Sequence, residues 1–307
     1  MLFIWYNETV VMHGNKDSLM DTLTRKAYAK INLSLDVTGK RGDGYHDLKS
    51  VMQTVDVYDT LTFHKTDDGA ISLTANTPQL ATDDSNLIVK ACRLMRDTCG
   101  IKEGIEVDLL KEIPMQAGLG GGSADAACAL RAVNDLFSLN LSTETLCGLG
   151  AQLGADVPFL VRGGTCLCEG IGEILTPVPA PPACTVLIAK PASGISTAEA
   201  YATLDLKPID RHPDTDALLH ALRQGDLKGL CDAMDNVFEP VAFRRVPDIP
   251  ALINTMQDYG ALRAMMSGSG PSVFGIFRDE SEAVKAYHVL KTKGRGMAVF
   301  VARCVKG

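Results

Sequence analysis

The run Pro114-Met115-Gln116-Ala117-Gly118-Leu119-Gly120-Gly121-Gly122-Ser123-Ala124 constrains this chain more than any other stretch. It sets four glycines and a serine directly before an Ala-rich segment, Ala124 to Phe137, of high helix propensity. Glycine permits φ > 0 and lets backbone N–H groups approach a ligand with no Cβ in the way. A helix start just behind adds unpaired N–H donors and the positive end of the helix dipole. The combination is a cradle for phosphate. The run lacks GxxxxGK[ST], so it is no P-loop, and it has Ser123 where a dinucleotide fingerprint wants its third glycine. A flexible Gly-rich turn is the competing structural reading.

The rest of the chain limits the ligands such a cradle can serve. At 307 residues the chain fits two modest domains. A formal net charge of −7 argues against a general nucleic-acid binder, which needs a basic surface to displace counterions. A local nest of amides still binds an anion on an acidic protein. The nine cysteines include no CxxC pair, so neither a zinc knuckle nor a thioredoxin-like motif is indicated. Reduced thiols in a cytoplasmic protein follow, with Cys92, Cys128 and Cys147 read as core residues on helices. The apolar patch Leu2 to Tyr6 is too short for a signal peptide, and no apolar run approaches a bilayer span. Residues 1–20 read as a non-core extension, with Met12 or Met20 as alternative starts.

Lys26 to Val37 alternates, Ala27, Ala29, Ile31, Leu33 and Leu35 against Tyr28, Lys30, Asn32, Ser34 and Asp36, which predicts a half-buried strand. A glycine-rich turn, Gly39 to His46, follows, then strands over Val51 to Phe63 and Ala70 to Ala75. Asp83 to Asn86 offers N-caps for a helix to about Thr98, and Gly104 to Ile113 is a strand leading into the glycine run. Ser142 is expected to cap a helix bearing Leu146, Leu149 and Leu153, with Gly154 as its C′ residue. Pro158 is expected to hold Val157 out of helical geometry, presenting Asp156 on a tight corner. Pro177 to Pro182 is the linker candidate. Beyond it come a strand over Cys184 to Ala189 and mainly helix over Thr215 to Asp258, broken near Gly225 and Pro240. Strands at Ala261 to Met266, Ser272 to Phe277 and Met297 to Val305, with a helix over Ser281 to Lys293, complete an α+β pattern.

Singly, the remaining signals are weak. Lys30 reads as a solvated strand lysine, Asp156 as a turn residue, and Tyr45-His46 as part of a surface turn. A second glycine loop, Ser267 to Ser272, reads as a hairpin turn. Their order along the chain carries more. Lys30-Ile31-Asn32, Gly44-Tyr45-His46, Pro114 to Ala124, Gly154 to Pro158 and Met266 to Ser272 together resemble the GHMP kinase superfamily, from about Arg25 to the C-terminus. Ala29 to Asn32 with Arg41 to His46 point, within it, to kinases of the non-mevalonate isoprenoid pathway that phosphorylate a sugar alcohol linked to cytidine diphosphate. Two departures stand out: residues 1–20 have no counterpart, and Gln116 sits where a small residue is usual.

The resemblance implies a two-domain α+β fold, with a ribosomal protein S5 domain 2-like ATP-binding domain over 21–176 and a ferredoxin-like domain over 183–307. It implies ATP with Mg²⁺, and phosphorylation of a 2-hydroxyl on a small-molecule partner. Asp156 would accept the hydroxyl proton, and Lys30 beside it would stabilise charge developing on oxygen. Pro114, Met115, Gln116, Ala117, Gly118, Leu119, Gly120, Gly121, Gly122, Ser123 and Ala124 would hold the ATP phosphates, with Asn86 and Lys111 near the adenine. Ser123 stays open between a phosphate or Mg²⁺ contact and the N-cap of the Ala-rich helix. Tyr45 and Tyr201 are the candidates to stack on the cytosine, His46 to bond its edge, and Asn32 and Thr197 to contact the substrate. Tyr201 has a second reading, as a core aromatic beginning a helix. No protein metal site, nucleic-acid partner or membrane partner is expected, and the chain is expected to be a monomer or weak homodimer.

Two rivals remain. One is another GHMP kinase acting on mevalonate-type, homoserine or sugar substrates, against which Tyr45-His46 argues because those substrates have no base to hold. The other is a nucleotide-binding regulator without catalysis, against which the retention of both Lys30 and Asp156 argues.

Overall fold

The computed structural model describes residues 21–205, 209–293 and 296–306. The expected extension over 1–20 lies outside them. Two compact units interleave along the sequence instead of meeting at a single cut. The first takes the chain through Ala27, Tyr58–Glu112 and Gly122–Val161; the second takes Tyr28–Val57, Ile113–Gly121 and everything from Arg162.

In the first unit, strand β1 (Thr22–Lys40) begins and β2 (His46–Thr66) ends. The end of β2 runs antiparallel to β4 (Gly104–Leu110), with Thr60 opposite Leu110, and β3 (Ile71–Ala75) lies parallel to β4. Helix α1 (Leu87–Cys99) starts as expected: the Asn86 side chain accepts from Ile88 N at 2.8 Å, and Gly100 ends it in the left-handed region at φ 69°. Helix α2 (Gly121–Leu136) buries an almost unbroken row from Ala124 to Leu130. Small alanines allow that close approach. Helix α3 (Thr143–Ala151) is capped by Ser142, whose Oγ accepts from Thr145 N at 3.2 Å. Cys92 and Cys128 are core residues, whereas Cys147 is only half-buried.

Three expectations fail here for local reasons. Gly154 is not the C′ residue of α3, because the helix ends at Ala151 with Gln152 as a right-handed cap. Pro158 does not keep Val157 out of a helix; it lies in the first turn of α4 (Val157–Arg162), where a missing N–H costs nothing. Ser123 does not cap α2, because the helix already begins at Gly121.

In the second unit, β5 (Thr165–Gly170) pairs antiparallel with the start of β2, and β6 (Ile174–Pro177) with β5. A separate antiparallel sheet has the order β11 (Ala298–Ala302), β7 (Thr185–Lys190), β10 (Val273–Phe277), β9 (Arg263–Met266). The helices of this unit are α5 (Thr197–Leu204), α6 (Thr215–Gln224), α7 (Leu227–Ala233), α8 (Glu239–Arg245), α9 (Asp248–Asp258) and α10 (Glu280–Lys293). Their core joins Leu187, Phe238, Ile249, Met256, Phe277 and Ala286. A two-residue strand, β8 (Asp235–Asn236), pairs parallel with Ser34 and Leu35 of β1 inside the segment expected to be helical.

The half-buried reading of β1 is also corrected. Both faces are buried, the polar one included: Lys30, Asn32, Ser34 and Asp36 are each at most 5% exposed. The polar side chains have partners instead of water, as burial requires. Asn32 Nδ2 donates to Ser50 Oγ at 2.9 Å, Ser50 Oγ donates to Ser34 O at 2.6 Å, and Asp36 meets His212 at 2.7 Å.

Candidate active site

The glycine run is held from behind by hydrogen bonds to its carbonyls, which leaves its amides for a ligand. Lys30 N donates to Leu119 O at 3.0 Å, Ser272 N to Ala117 O at 3.2 Å, and Ser267 Oγ to Gly118 O at 3.0 Å. The second glycine loop is therefore the turn of the β9–β10 hairpin, as its local sequence suggests, and also the bed of the first loop. Gly118 has φ 74°, and a Cβ there would stand 2.2 Å from Ser267 O. No other residue type fits. Gln116 also lies in the left-handed region, at φ 51°, with an exposed side chain.

The second loop is fastened in turn by residues the sequence reading missed. Asn236 Nδ2 donates to Met266 O and Gly268 O, each at 2.9 Å, while its Oδ1 accepts from Phe238 N at 3.0 Å. Glu239 accepts from Met266 N at 2.8 Å, and burial pushes its carboxyl above the ordinary value. The available signal was Asp235-Asn236-Val-Phe-Glu239, a polar pair set three residues apart around a helix start.

Lys30 is 4% exposed. Its ammonium donates to Asn32 Oδ1 at 2.7 Å and lies 3.3 Å from where a Cβ on Gly268 would be. It is a buried side chain held under the loop, not a solvated strand lysine. Asn32 is thereby committed on both sides, to Lys30 and to Ser50.

In the first unit, α2 begins within the glycines and has no acidic residue in its first turn. Its free N–H groups and dipole suit an anion. Ser123, third in the helix, lies by the Asp156 corner: a Cβ on Gly154 would be 4.0 Å from Ser123 Oγ. Asp156 immediately precedes α4, its carbonyl accepting from Leu160 N at 3.1 Å, and it is half-buried.

Lys111 is committed to a buried cluster. Its Nζ donates to Asp59 at 2.5 Å and to Asp125 at 2.6 Å, and all three side chains are at most 5% exposed. Burial first, then the Asp59 carboxylate, push Asp125 up to about 8 against the pull of Lys111. Asn86 uses its side chain to cap α1 and to donate to Ala81 O at 2.6 Å.

The aromatic residues of the base-binding expectation are partly assembled. His46 and Tyr201 stack at 4.9 Å between ring centroids, and Tyr201 meets Phe238 edge-on at 4.8 Å. Tyr45, beside His46, is 60% exposed, a ring free to cover a planar ligand. Thr197 opens α5 with its hydroxyl 3.0 Å from Ser269 Oγ in the second glycine loop.

The sequence matches the GHMP kinases N terminal domain over residues 86–164 and the GHMP kinases C terminal domain over residues 218–296. It is 45% identical to the 4-diphosphocytidyl-2-C-methyl-D-erythritol kinase of Caldicellulosiruptor saccharolyticus, across 87% of this chain and 92% of that one. It is 43% identical to the enzyme of the same name from Lachnoclostridium phytofermentans, across 92% and 98%. A crystal structure of 4-(cytidine 5'-diphospho)-2C-methyl-D-erythritol kinase superposes with a TM-score of 0.78 at 31% identity, over 92% of this chain and all of that one. The chain belongs to the 4-diphosphocytidyl-2-C-methyl-D-erythritol kinase family. A homoserine kinase from Cytophaga hutchinsonii also gives 0.78, over 96% and 99%, but at 21% identity, so it shares the fold alone. The expected α+β, two-domain GHMP kinase fold is thus the observed one.

Proposed function

We propose that this kinase transfers the γ-phosphoryl group of ATP to the 2-hydroxyl of 4-diphosphocytidyl-2-C-methyl-D-erythritol, a step of the non-mevalonate isoprenoid pathway. The observation that carries the reading is the buried Lys30, fixed by Asn32 and tied through its own N–H to the glycine loop. A lysine desolvated at that cost belongs where negative charge develops.

In this mechanism the substrate oxygen attacks the γ-phosphorus, the bond to the ADP oxygen breaks, and Asp156 takes the hydroxyl proton. Lys30 and the amides of Gly118 to Ser123 receive the charge on the phosphate oxygens. Gly118 supports this, because its carbonyl is already committed and its missing Cβ keeps the loop in place. Among the described residues no group of three His, Cys, Asp or Glu side chains is gathered for a metal. Mg²⁺ would be carried in by the phosphates, the Ser123 hydroxyl would be the loop's own oxygen available to hold it, and it would neutralise phosphate charge. Asn86 and Lys111 are assigned to the adenine end as supports of the walls, since both side chains are already engaged. Tyr45, His46, Thr197 and Tyr201 form the substrate side with Asn32.

Residues 21–176 are assigned as the ATP-binding domain and 183–307 as the second domain, a division within which both family matches fall. A monomer or weak homodimer in the cytoplasm, using no nucleic-acid or membrane partner, completes the reading; it is supported by nine cysteines of which none is joined in a disulfide.

Asp156→Asn is the test. Turnover with the diphosphocytidyl substrate should fall about 10²–10⁴-fold, the contribution of a positioned base, while ATP binding measured by calorimetry is unchanged. Wild-type turnover on homoserine or mevalonate but not on this substrate would replace the substrate assignment. Full activity in the variant would remove Asp156 from the chemistry.

A further inference from the structure

Two residues one helical turn apart, Tyr201 and Asp205, hold the same imidazole. Positions i and i+4 lie on one face of a helix. Asp205 caps the C-terminus of α5, its N–H donating to Tyr201 O at 3.0 Å. From that face Tyr201 stacks on the His46 ring, and Asp205 Oδ1 lies 2.7 Å from His46 Nε2. The other Asp205 oxygen is bonded by Lys40, from the end of β1. The His46 side chain is only 9% exposed, so its ring is not free to turn. The hydrogen bond from Lys40, then that from His46, hold the Asp205 carboxyl below its ordinary range.

An ionised carboxylate can only accept hydrogen bonds. His46 Nε2 must therefore carry a proton and donate it, which in the neutral ring leaves Nδ1 as an acceptor. At the pairing edge, cytosine offers an exocyclic amine where a uracil-type base offers a carbonyl oxygen. An acceptor facing that position bonds the first and repels the second. We propose that Asp205 is a positioning residue which, by fixing the tautomer and plane of His46, makes the site select a cytosine over a uracil base. This rests on the substrate reading above, in which His46 meets the base edge. Lys40 serves the same end by holding the carboxylate in place.

The experiment is steady-state kinetics with the diphosphocytidyl substrate, together with competitive inhibition by cytidine diphosphate and by uridine diphosphate. In Asp205→Ala, KM for the substrate should rise about 10-fold, with kcat and KM for ATP within about threefold of wild type. The preference for cytidine over uridine diphosphate should shrink by about the same factor. Asp205→Asn retains one acceptor oxygen and should fall between; if the alanine variant fails to fold, this isosteric variant decides alone. Wild-type KM and wild-type base preference in Asp205→Asn and in any folded Asp205→Ala would overturn the proposal. So would an equal loss for both bases, which marks a purely structural cap. A wild-type enzyme with no preference between the two diphosphates would instead sink the substrate reading itself.

Discussion

In the second unit the glycine loop itself hangs on neutral groups, the Ser267 hydroxyl and the Lys30 and Ser272 amides, whereas in the first unit the start of α2 is tied down by charge. There Lys111 lies between Asp59 and Asp125 with almost no water. Neutral bonds of this kind each contribute about 1 kcal/mol and do not depend on pH. The charged cluster costs several kcal/mol per ion in desolvation and recovers it only while the Lys111 side chain stays between the two carboxyl groups. The neutral support is therefore tolerant of single losses except where space is the constraint. The charged one is fragile and responds to protons.

The largest expected effect follows from breaking the charged side. Lys111→Ala leaves Asp59 and Asp125 facing each other without a cation and should cost about 3–5 kcal/mol, read from urea unfolding. The same variant separates support from ligand contact. Unchanged stability with a raised KM for ATP would return Lys111 to the adenine as a direct contact and end the comparison drawn here.

On the neutral side the sharpest break is steric. Gly118→Ala meets both a φ of 74° and the Ser267 carbonyl at 2.2 Å, so the loop must move off its bed. kcat/KM for ATP should fall about 100-fold, equivalent to about 2.7 kcal/mol of transition-state stabilisation, with stability lowered by only about 1–2 kcal/mol. Activity within threefold of wild type would show that the bed does not position the amides.

What was legible in the sequence divides along a related line. The Asn86 and Ser142 caps and the β9–β10 turn depend on neighbours a few residues away, and each was read correctly from local pattern. The polar face of β1 was misread because its partners, Ser50 and His212, lie 18 and 176 residues distant, and alternation alone cannot distinguish water from a buried partner. Asp205, Asn236, Glu239, Asp59 and Asp125 were missed for the same reason. Each is an ordinary acidic or amide residue until the fold brings His46, Met266 or Lys111 against it. The family resemblance supplied candidate binding residues but not the groups that hold them. Pro158 failed in the opposite direction: the rule that proline disfavours helix in the preceding residue gave way to its suitability for a helix's first turn.

The smallest effect tests whether the charged support is proton-sensitive. Asp125 is pushed up to about 8, chiefly by burial, and its second oxygen is buried with no hydrogen-bond partner among the described residues. Its unfolded value is about 3.9. Between these limits the folded state binds the extra proton, so stability falls as pH rises, by at most about 1.4 kcal/mol per pH unit for one proton. Stability is fully present below pH 4 and is lost through pH 8. Asp125→Asn mimics the protonated acid and can still accept from Lys111. Near pH 4 it should match the wild type to within about 1 kcal/mol, and between pH 5 and 8 its unfolding free energy should decline less steeply, so that it becomes the more stable of the two as pH rises. Every other titrating group, the six histidines included, is common to the two proteins, so the difference in slope reports this cluster alone. Parallel slopes in the two proteins would mean that Asp125 does not change its protonation over this range and that the cluster is not proton-sensitive.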